Sequence, residues 1–130
     1  MVEAALFGDS GLPPAIRRAA RLTLERKASD VVVLDLRGIS SATDYFLLAT
    51  GTSDTQVRSI SDHVTRQLRK EGTHPAHTEG GREGRWVLID YIDFVVHVFH
   101  PEVRSFYQLE ALWGDAPRHE LAPDTEGGPP

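Results

Sequence analysis

The sequence predicts an α/β fold in which a mixed β-sheet is sandwiched by helices. Short runs rich in β-branched and aromatic residues, such as Val31–Gly38, are typical of strands. Two longer segments instead carry apolar residues at helical spacing. In chain order these segments give α-β-β-α-β-β-β-α, an order that is typical of a layered sheet-and-helix domain.

The first half of the chain is predicted to hold two helices and two strands. The first helix falls within residues 13–28, because proline suits a first turn and the apolar residues that follow recur at helical spacing. Strands follow at Val31–Gly38 and Asp44–Gly51. The second helix begins after Ser53, which forms an S-x-x-Q capping box with Gln56.

The second half is predicted to hold a short edge strand, a hairpin and a third helix. The edge strand leads into a glycine-rich loop. Trp86–Tyr91 and Phe94–Phe99 are two strands joined tightly around Ile92, as in a hairpin. A helix then runs through Pro101–Trp113, with proline again suited to its first turn.

The chain length fits a single domain. Its 130 residues are enough to bury a genuine core. We expect residues 13–115 to form that domain. Residues 1–12 show little periodicity and are expected to be a flexible leader, and residues 116–130, rich in Pro, Gly and acids, are expected to be a disordered tail.

Composition predicts a cytoplasmic protein. Hydrophobic residues make up 40% of the chain and charged residues 25%, as in ordinary globular proteins. No apolar run approaches the roughly 18 residues that span a bilayer, and the N-terminus does not resemble a secretory signal. Cysteine is absent, which excludes disulfides, thiol nucleophiles and thiolate metal sites.

The net charge of −5 is unevenly distributed. Residues 1–28 carry a formal charge of +2, residues 29–85 carry −1, and residues 86–130 carry −6. An acidic C-terminal third repels phosphate backbones and does not supply the basic footprint of a nucleic-acid-binding protein. It suits a basic protein partner instead.

A divalent-metal-dependent nucleotidyltransferase is the alternative function. In that chemistry a Gly-Ser turn at a helix N-terminus holds phosphate, and paired carboxylates hold metals. Gly51–Ser53, Asp90 and Asp93 are the candidates. Acids that share metals from one strand should lie two residues apart, whereas these lie three apart across a predicted turn. Ser53 is more simply a helix N-cap, so the geometry argues against catalysis.

The histidines do not form a predicted metal site. Asp93 and His97 share a strand face, but their attachment points would lie roughly 13 Å apart, too far for common coordination. Without cysteine, a zinc site would need histidine and carboxylates alone, and the six histidines show no ligand spacing. We therefore predict no cofactor, and we interpret His97 as a hydrogen-bonded structural or interface group.

An interaction surface accounts for the second half of the chain more simply. The strand Phe94–Phe99 is apolar on both faces, as in a strand that is central or presents one face to another protein. Residue types frequent at binding hot spots flank it, namely Trp86, Arg104, Tyr107 and Trp113. Packing of the two tryptophans in the core remains the alternative.

Two motifs carry a resemblance to a known family. They are "VVVLDLRGISSATDYFLLATGTSDTQVRSISDHV" and "EGGREGRWVLIDYIDFVVHVFHPEVRSFYQLEALWGDA". From about Ala15 to Asp115 the chain resembles the ribosomal silencing factor, or Iojap-like, family. The resemblance implies a nucleotidyltransferase-like topology in a protein that is not an active transferase.

The resemblance also implies a function. Family members bind the large ribosomal subunit through ribosomal protein fourteen, on the surface that faces the small subunit. Occupying that surface blocks subunit association and represses translation under nutrient limitation, and organellar relatives act in large-subunit assembly. The implied protein needs no cofactor, makes little direct nucleic-acid contact, and is able to form a homodimer.

The family motif indicates a partner-binding patch. Trp86 and Tyr107 would be apolar anchors, and Asp90 and Glu110 would face basic groups of the partner. Arg104 would pair with Glu110 or reach an acceptor across the interface. The full predicted patch is Trp86, Asp90, Tyr91, His97, Phe99, Arg104, Tyr107, Glu110 and Trp113.

Overall fold

The predicted order of helices and strands is confirmed, with one further strand at its end. The computed structural model describes residues 11–81, 84–107 and 116–120, except for the side chains of residues 105–107. The elements are α1 Pro14–Glu25, β1 Ser29–Asp35, β2 Tyr45–Thr50, α2 Asp54–Lys70, β3 His77–Glu79, β4 Trp86–Asp90, β5 Phe94–Phe99, α3 Pro101–Tyr107 and β6 Arg118–Glu120.

The strands form one mixed sheet in the order β3-β4-β5-β2-β1-β6. The central neighbours β2 and β5 are parallel, and the other pairs are antiparallel. β4 and β5 form the predicted hairpin, with Trp86 opposite Phe99 and Asp90 opposite Val95. The central position of β5 explains why both of its faces are apolar.

Helices α1 and α2 cover one face of the sheet. Their apolar stripes pack on alternate residues of the strands. Burying each Val, Leu or Ile side chain contributes roughly 1.5–3 kcal/mol, so this layer is the main source of stability. Members of the layer include Ile16, Ala19, Val57, Ile60, Val64, Leu47, Val96 and Val98.

The N-terminus of α2 is capped as predicted. The backbone N–H of Gln56 donates to the Ser53 hydroxyl oxygen at 3.1 Å. The Gln56 amide Nε2 also donates to the carbonyl oxygens of Arg26 at 3.1 Å and Lys27 at 3.0 Å. One side chain therefore joins the start of α2 to the turn that follows α1.

Two segments assigned to the termini are corrected. Leu12, expected in the flexible leader, is 2% exposed and belongs to the core that includes α1. Arg118–Glu120, expected in the disordered tail, forms β6 on Val32–Leu34 of β1. Composition misled the prediction because an open strand edge can pair with a short polar segment through main-chain hydrogen bonds alone. Residues 1–10 and 121–130 lie outside the described residues.

The described part of the chain includes no helix that is both long and apolar enough to cross a membrane. The predicted third helix is confirmed from Pro101 to Tyr107. Its expected continuation to Trp113 lies outside the described residues.

Candidate partner-binding face of the sheet

The second face of the sheet, opposite α1 and α2, carries the predicted anchor Trp86. Successive side chains of a strand point to opposite faces of the sheet, so every second strand residue belongs to this face and the residues between them face α1 and α2. Phe46, Trp86 and Leu88 are partly exposed there, while Val103 of α3 packs against its buried part. The second face comprises Val32, Leu34, Phe46, Leu48, Trp86, Leu88, Asp90, Val95, His97 and Phe99.

Trp86 opens β4 and is held by a neighbour on β5. Its indole Nε1 donates a hydrogen bond of 3.1 Å to Nδ1 of His97. Its ring centroid lies 6.1 Å from that of His97 and 6.1 Å from that of Phe99. The indole is therefore fixed in position while remaining partly exposed.

His97 is buried beneath the second face, 4% exposed. Burial lowers its pKa to about 4, so the ring is neutral at physiological pH. Because Nδ1 accepts from Trp86, the proton of the neutral ring is assigned to Nε2, which has no hydrogen-bond partner among the described residues. The Phe46 ring packs edge-on at 4.6 Å between centroids. The structural part of the His97 prediction is confirmed.

The side chains of Phe99 and Arg104 contact each other at the end of β5. Phe99 is fully buried, and the Arg104 guanidinium carbon lies 5.5 Å from its ring centroid. Arg104 Nη1 also donates to the Asp30 carbonyl oxygen and to the Thr50 hydroxyl oxygen, each at 2.7 Å. Arg104 thus joins α3 to β1 and β2, and its predicted contact with a partner becomes secondary to this internal role.

Asp90 closes the β4–β5 hairpin. Its Oδ1 accepts from the backbone N–H of Ile92 at 2.8 Å. Ile92 has a φ of 77° and is 62% exposed, an uncommon conformation for a β-branched residue. Asp90 is therefore a strand-end hydrogen-bonding group, and its side chain also borders the second face.

Tyr91 does not share a surface with Trp86. It lies on the helix-covered side, 7% exposed, with its ring stacked on Phe94 at 5.0 Å. A shift of one residue along a strand moves a side chain to the other face, and Tyr91 follows Asp90 directly. The predicted patch is corrected here, since Tyr91 belongs to the opposite side of the sheet.

Three predicted patch residues cannot be placed. Tyr107 ends α3, but its side chain lies outside the described residues. Glu110 and Trp113 also lie outside them. Their roles stay predictions.

The turn before α2 hydrogen-bonds to the helix and to β5. The backbone N–H of Thr52 donates to Gln56 Oε1 at 2.6 Å, and that of Gly51 donates to the Phe99 carbonyl oxygen at 3.0 Å. A Cβ at Gly51 would lie 3.0 Å from Val57 atoms, so close packing explains this glycine. Both of these N–H groups are therefore engaged within the protein. Within the described ranges, no three His, Asp or Glu side chains are grouped to hold a metal ion.

Comparison with known proteins identifies the family. A family model described as "Ribosomal silencing factor during starvation" matches residues 10–128. The chain belongs to the ribosomal silencing factor family. The Ribosomal silencing factor RsfS of Bacillus subtilis is 45% identical over 106 residues, covering 82% of this chain and 90% of that protein.

Plant and bacterial relatives of the ribosomal silencing factor family extend the comparison. The chloroplastic Protein Iojap of Zea mays is 34% identical over 107 residues, covering 82% of this chain and 46% of that protein. A crystal structure from Chromobacterium violaceum aligns with a TM-score of 0.73 at 37% identity, covering 76% of this chain and 83% of that one. A Bacillus halodurans structure aligns at 0.70 and 41% identity, covering 79% and 93%. These neighbours confirm the predicted fold class.

Sequence reasoning missed two partly exposed members of the second face. Phe46 and Leu88 accompany Trp86, and Phe46 contacts the His97 ring. The alternation of β2, read together with its parallel pairing to β5, would have placed Phe46 there. That pairing is a tertiary feature, so the sequence could not supply it.

Proposed function

We propose that this ribosomal silencing factor binds the large ribosomal subunit at ribosomal protein fourteen and sterically blocks its association with the small subunit, repressing translation under nutrient limitation. Membership of the family supports the silencing role. To block association, the protein needs only to occupy the subunit surface and does not need to catalyse a reaction. A large subunit whose joining surface is covered is withdrawn from the association equilibrium.

The observation that carries the proposal is the fixed, partly exposed indole of Trp86 on the second face. Tryptophan offers a large apolar area, and it is enriched at the few residues that dominate interface energies. The hydrogen bond to His97 already fixes the ring in the free protein. Binding therefore loses little side-chain entropy at this position.

The charge beside Trp86 supports a basic partner. β3 pairs with β4 so that Glu79 lies opposite Leu88 and His77 opposite Asp90, which brings Glu79 and Asp90 to the border of the second face. Residues 86–130 carry a formal charge of −6. Ribosomal proteins that contact RNA are commonly basic, and complementary potentials accelerate such encounters.

The test is sedimentation of purified protein with isolated large subunits, followed by addition of small subunits. We expect co-sedimentation with the large subunit and fewer joined ribosomes. Trp86→Ala should weaken binding about 30-fold, as expected for a hot spot worth about 2 kcal/mol. Leu24→Ala is the control, because Leu24 is a partly buried residue on the helix-covered side. Circular dichroism should show both variants folded.

Each contrary result has a distinct meaning. Wild-type binding by folded Trp86→Ala would contradict the placement of the site on the second face. Binding that leaves subunit association unchanged would shift the role to subunit assembly. A possible homodimer through the second face stays a prediction, and it would compete with the ribosome for the same surface.

A further inference from the structure

An open groove runs between α2 and the β3–β4 edge, on the helix-covered side of the sheet. Its volume is about 660 Å³, within the usual range for small-molecule sites. Pro75 and Ala76, which are at least partly exposed, contribute apolar surface, whereas the lining residues Val87 and Ile89 of β4 are buried. Gly81 lies beyond β3 at one border. The groove therefore lies on the opposite side of the sheet from Trp86.

The charge of the groove is opposite to that of the chain. Three arginines of α2 line it, at positions 58, 66 and 69, and among the described residues that line it only Asp62 is acidic. The chain as a whole carries −5. A concave site lined by one sign of charge concentrates ligands of the opposite sign, here anions.

Two of these arginines are available to a ligand. Within the described part of the chain, no carboxylate pairs with Arg66 or Arg69, and both residues are exposed. Some arginines elsewhere are paired with carboxylates, since Arg18 bonds Glu71 at 2.7 Å and Arg37 bonds Asp35 at 2.7 Å. These two groove arginines therefore differ from the paired arginines elsewhere on the surface.

A buried hydroxyl lies near two residues that line the groove. The hydroxyl of Tyr91 is inaccessible to solvent and has no hydrogen-bond partner within bonding geometry among the described residues. Burial raises the pKa of Tyr91, while the nearby Thr65 hydroxyl and Arg69 guanidinium lower it. Both of those neighbours line the groove, whereas Tyr91 itself is buried behind the lining residues.

We propose that this groove binds a phosphate-bearing small molecule of nucleotide size. Arginine forms paired, charge-assisted hydrogen bonds to phosphate oxygens, which Arg66 and Arg69 supply on neighbouring turns of one helix. The accessible apolar surface of Pro75 and Ala76 suits the base or sugar of a nucleotide, whereas an extended polyanion would not need it. The proposal does not depend on ribosome binding, and it departs from the predicted absence of a cofactor.

The experiment is calorimetric titration of the full chain with ATP, GTP, inorganic triphosphate and a short single-stranded RNA. We expect saturable binding of ATP or GTP in preference to the RNA. Arg66→Gln and Arg69→Gln should each weaken that binding about tenfold, because each removes a charge-assisted hydrogen bond. Asp62→Asn should strengthen it several-fold by removing the opposing charge.

Lys70→Gln is the matched control, because it makes the same charge change on the same helix outside the groove lining. It should alter binding less than twofold. Equal losses in Lys70→Gln and the arginine variants would overturn the proposal in favour of non-specific charge attraction. No saturable binding of any phosphate probe, or preference for the RNA, would also overturn it. Ribosome sedimentation should be unchanged in Arg66→Gln and Arg69→Gln, which separates this proposal from the proposed silencing role.

Discussion

Trp86 and His97 are joined by a hydrogen bond of 3.1 Å across the β4–β5 pair, with the indole N–H as donor and the imidazole Nδ1 as acceptor. Protonation of His97 would remove that acceptor, because both ring nitrogens of an imidazolium are donors. The orientation of a partly exposed indole is thereby coupled to the protonation state of a buried ring.

The first prediction is a loss of stability on acidification. The pKa of His97 falls from an ordinary value of 6.5 to about 4 in the folded protein, because burial disfavours the charged ring. Between these values the unfolded chain binds more protons, so the free energy of unfolding decreases as pH falls through this window. The full shift corresponds to roughly 3 kcal/mol. Urea unfolding at about pH 7 and about pH 4.5 measures it.

His97→Phe is the control for this effect. It removes the titrating group while keeping an aromatic ring beside Phe46. The carboxyls of Asp35 and Glu71, whose pKa values are lowered by hydrogen bonds from Arg37 and Arg18, are present in both proteins and lose their contribution at lower pH. An equal decrease in the two proteins would rule out His97 as the source.

The second prediction concerns Arg104 in the free protein. Arg104→Gln should lower the free energy of unfolding by about 1–3 kcal/mol, because it removes charge-assisted hydrogen bonds to Asp30 and Thr50. Arg85→Gln is the comparison, since Arg85 makes an exposed ion pair with Glu102 and such pairs contribute little. Similar unfolding midpoints for Arg104→Gln and wild type would show that Arg104 is available for a partner after all.

The third prediction contrasts two adjacent glycines. Gly80 has a φ of 82°, and a Cβ there would overlap the carbonyl oxygen of Trp86, whereas a Cβ at Gly81 would meet open space. Gly80→Ala should therefore destabilise the protein by about 2 kcal/mol or more, since backbone atoms must move. Gly81→Ala should change stability little. Thermal unfolding of both variants tests the contrast, and equal melting temperatures would contradict it.

The fourth prediction is a stabilising substitution at Ile92. Its positive φ is strained for a β-branched side chain, and its exposure means that little packing would be lost. Ile92→Asn should raise the free energy of unfolding by about 1 kcal/mol, because asparagine tolerates this conformation. Ile39→Asn is the control, since Ile39 is also exposed but has no positive φ. If the two substitutions had the same effect on the urea midpoint, the gain would not come from backbone strain.

Features determined by neighbouring residues were predictable from the sequence. The Ser53–Gln56 cap and the tight hairpin at Ile92 depend on local geometry, and both are confirmed. The burial of Leu12 and the pairing of Arg118–Glu120 with β1 depend on distant partners, and both were missed. Local propensity cannot indicate which strand edge remains open for a terminal segment.

The candidate site was predictable only in part, because some of its features depend on tertiary structure. Trp86 was correctly placed on a sheet face, but Tyr91 was assigned to the same surface although a single step along the chain reverses the direction of a side chain. The arginine groove needs α2 to lie beside the β3–β4 edge. Only the tertiary structure supplies that relationship.

The parallel pairing of β2 with β5 has a consequence for biosynthesis. Because β2 ends at Thr50 and β5 begins at Phe94, the centre of the sheet joins segments that leave the ribosome at very different times. Domains fold as units once their long-range pairings become possible. The centre of the sheet therefore cannot close until both Tyr45–Thr50 and Phe94–Phe99 have left the ribosome. The face that carries Trp86 is complete only after the later of these two strands has emerged.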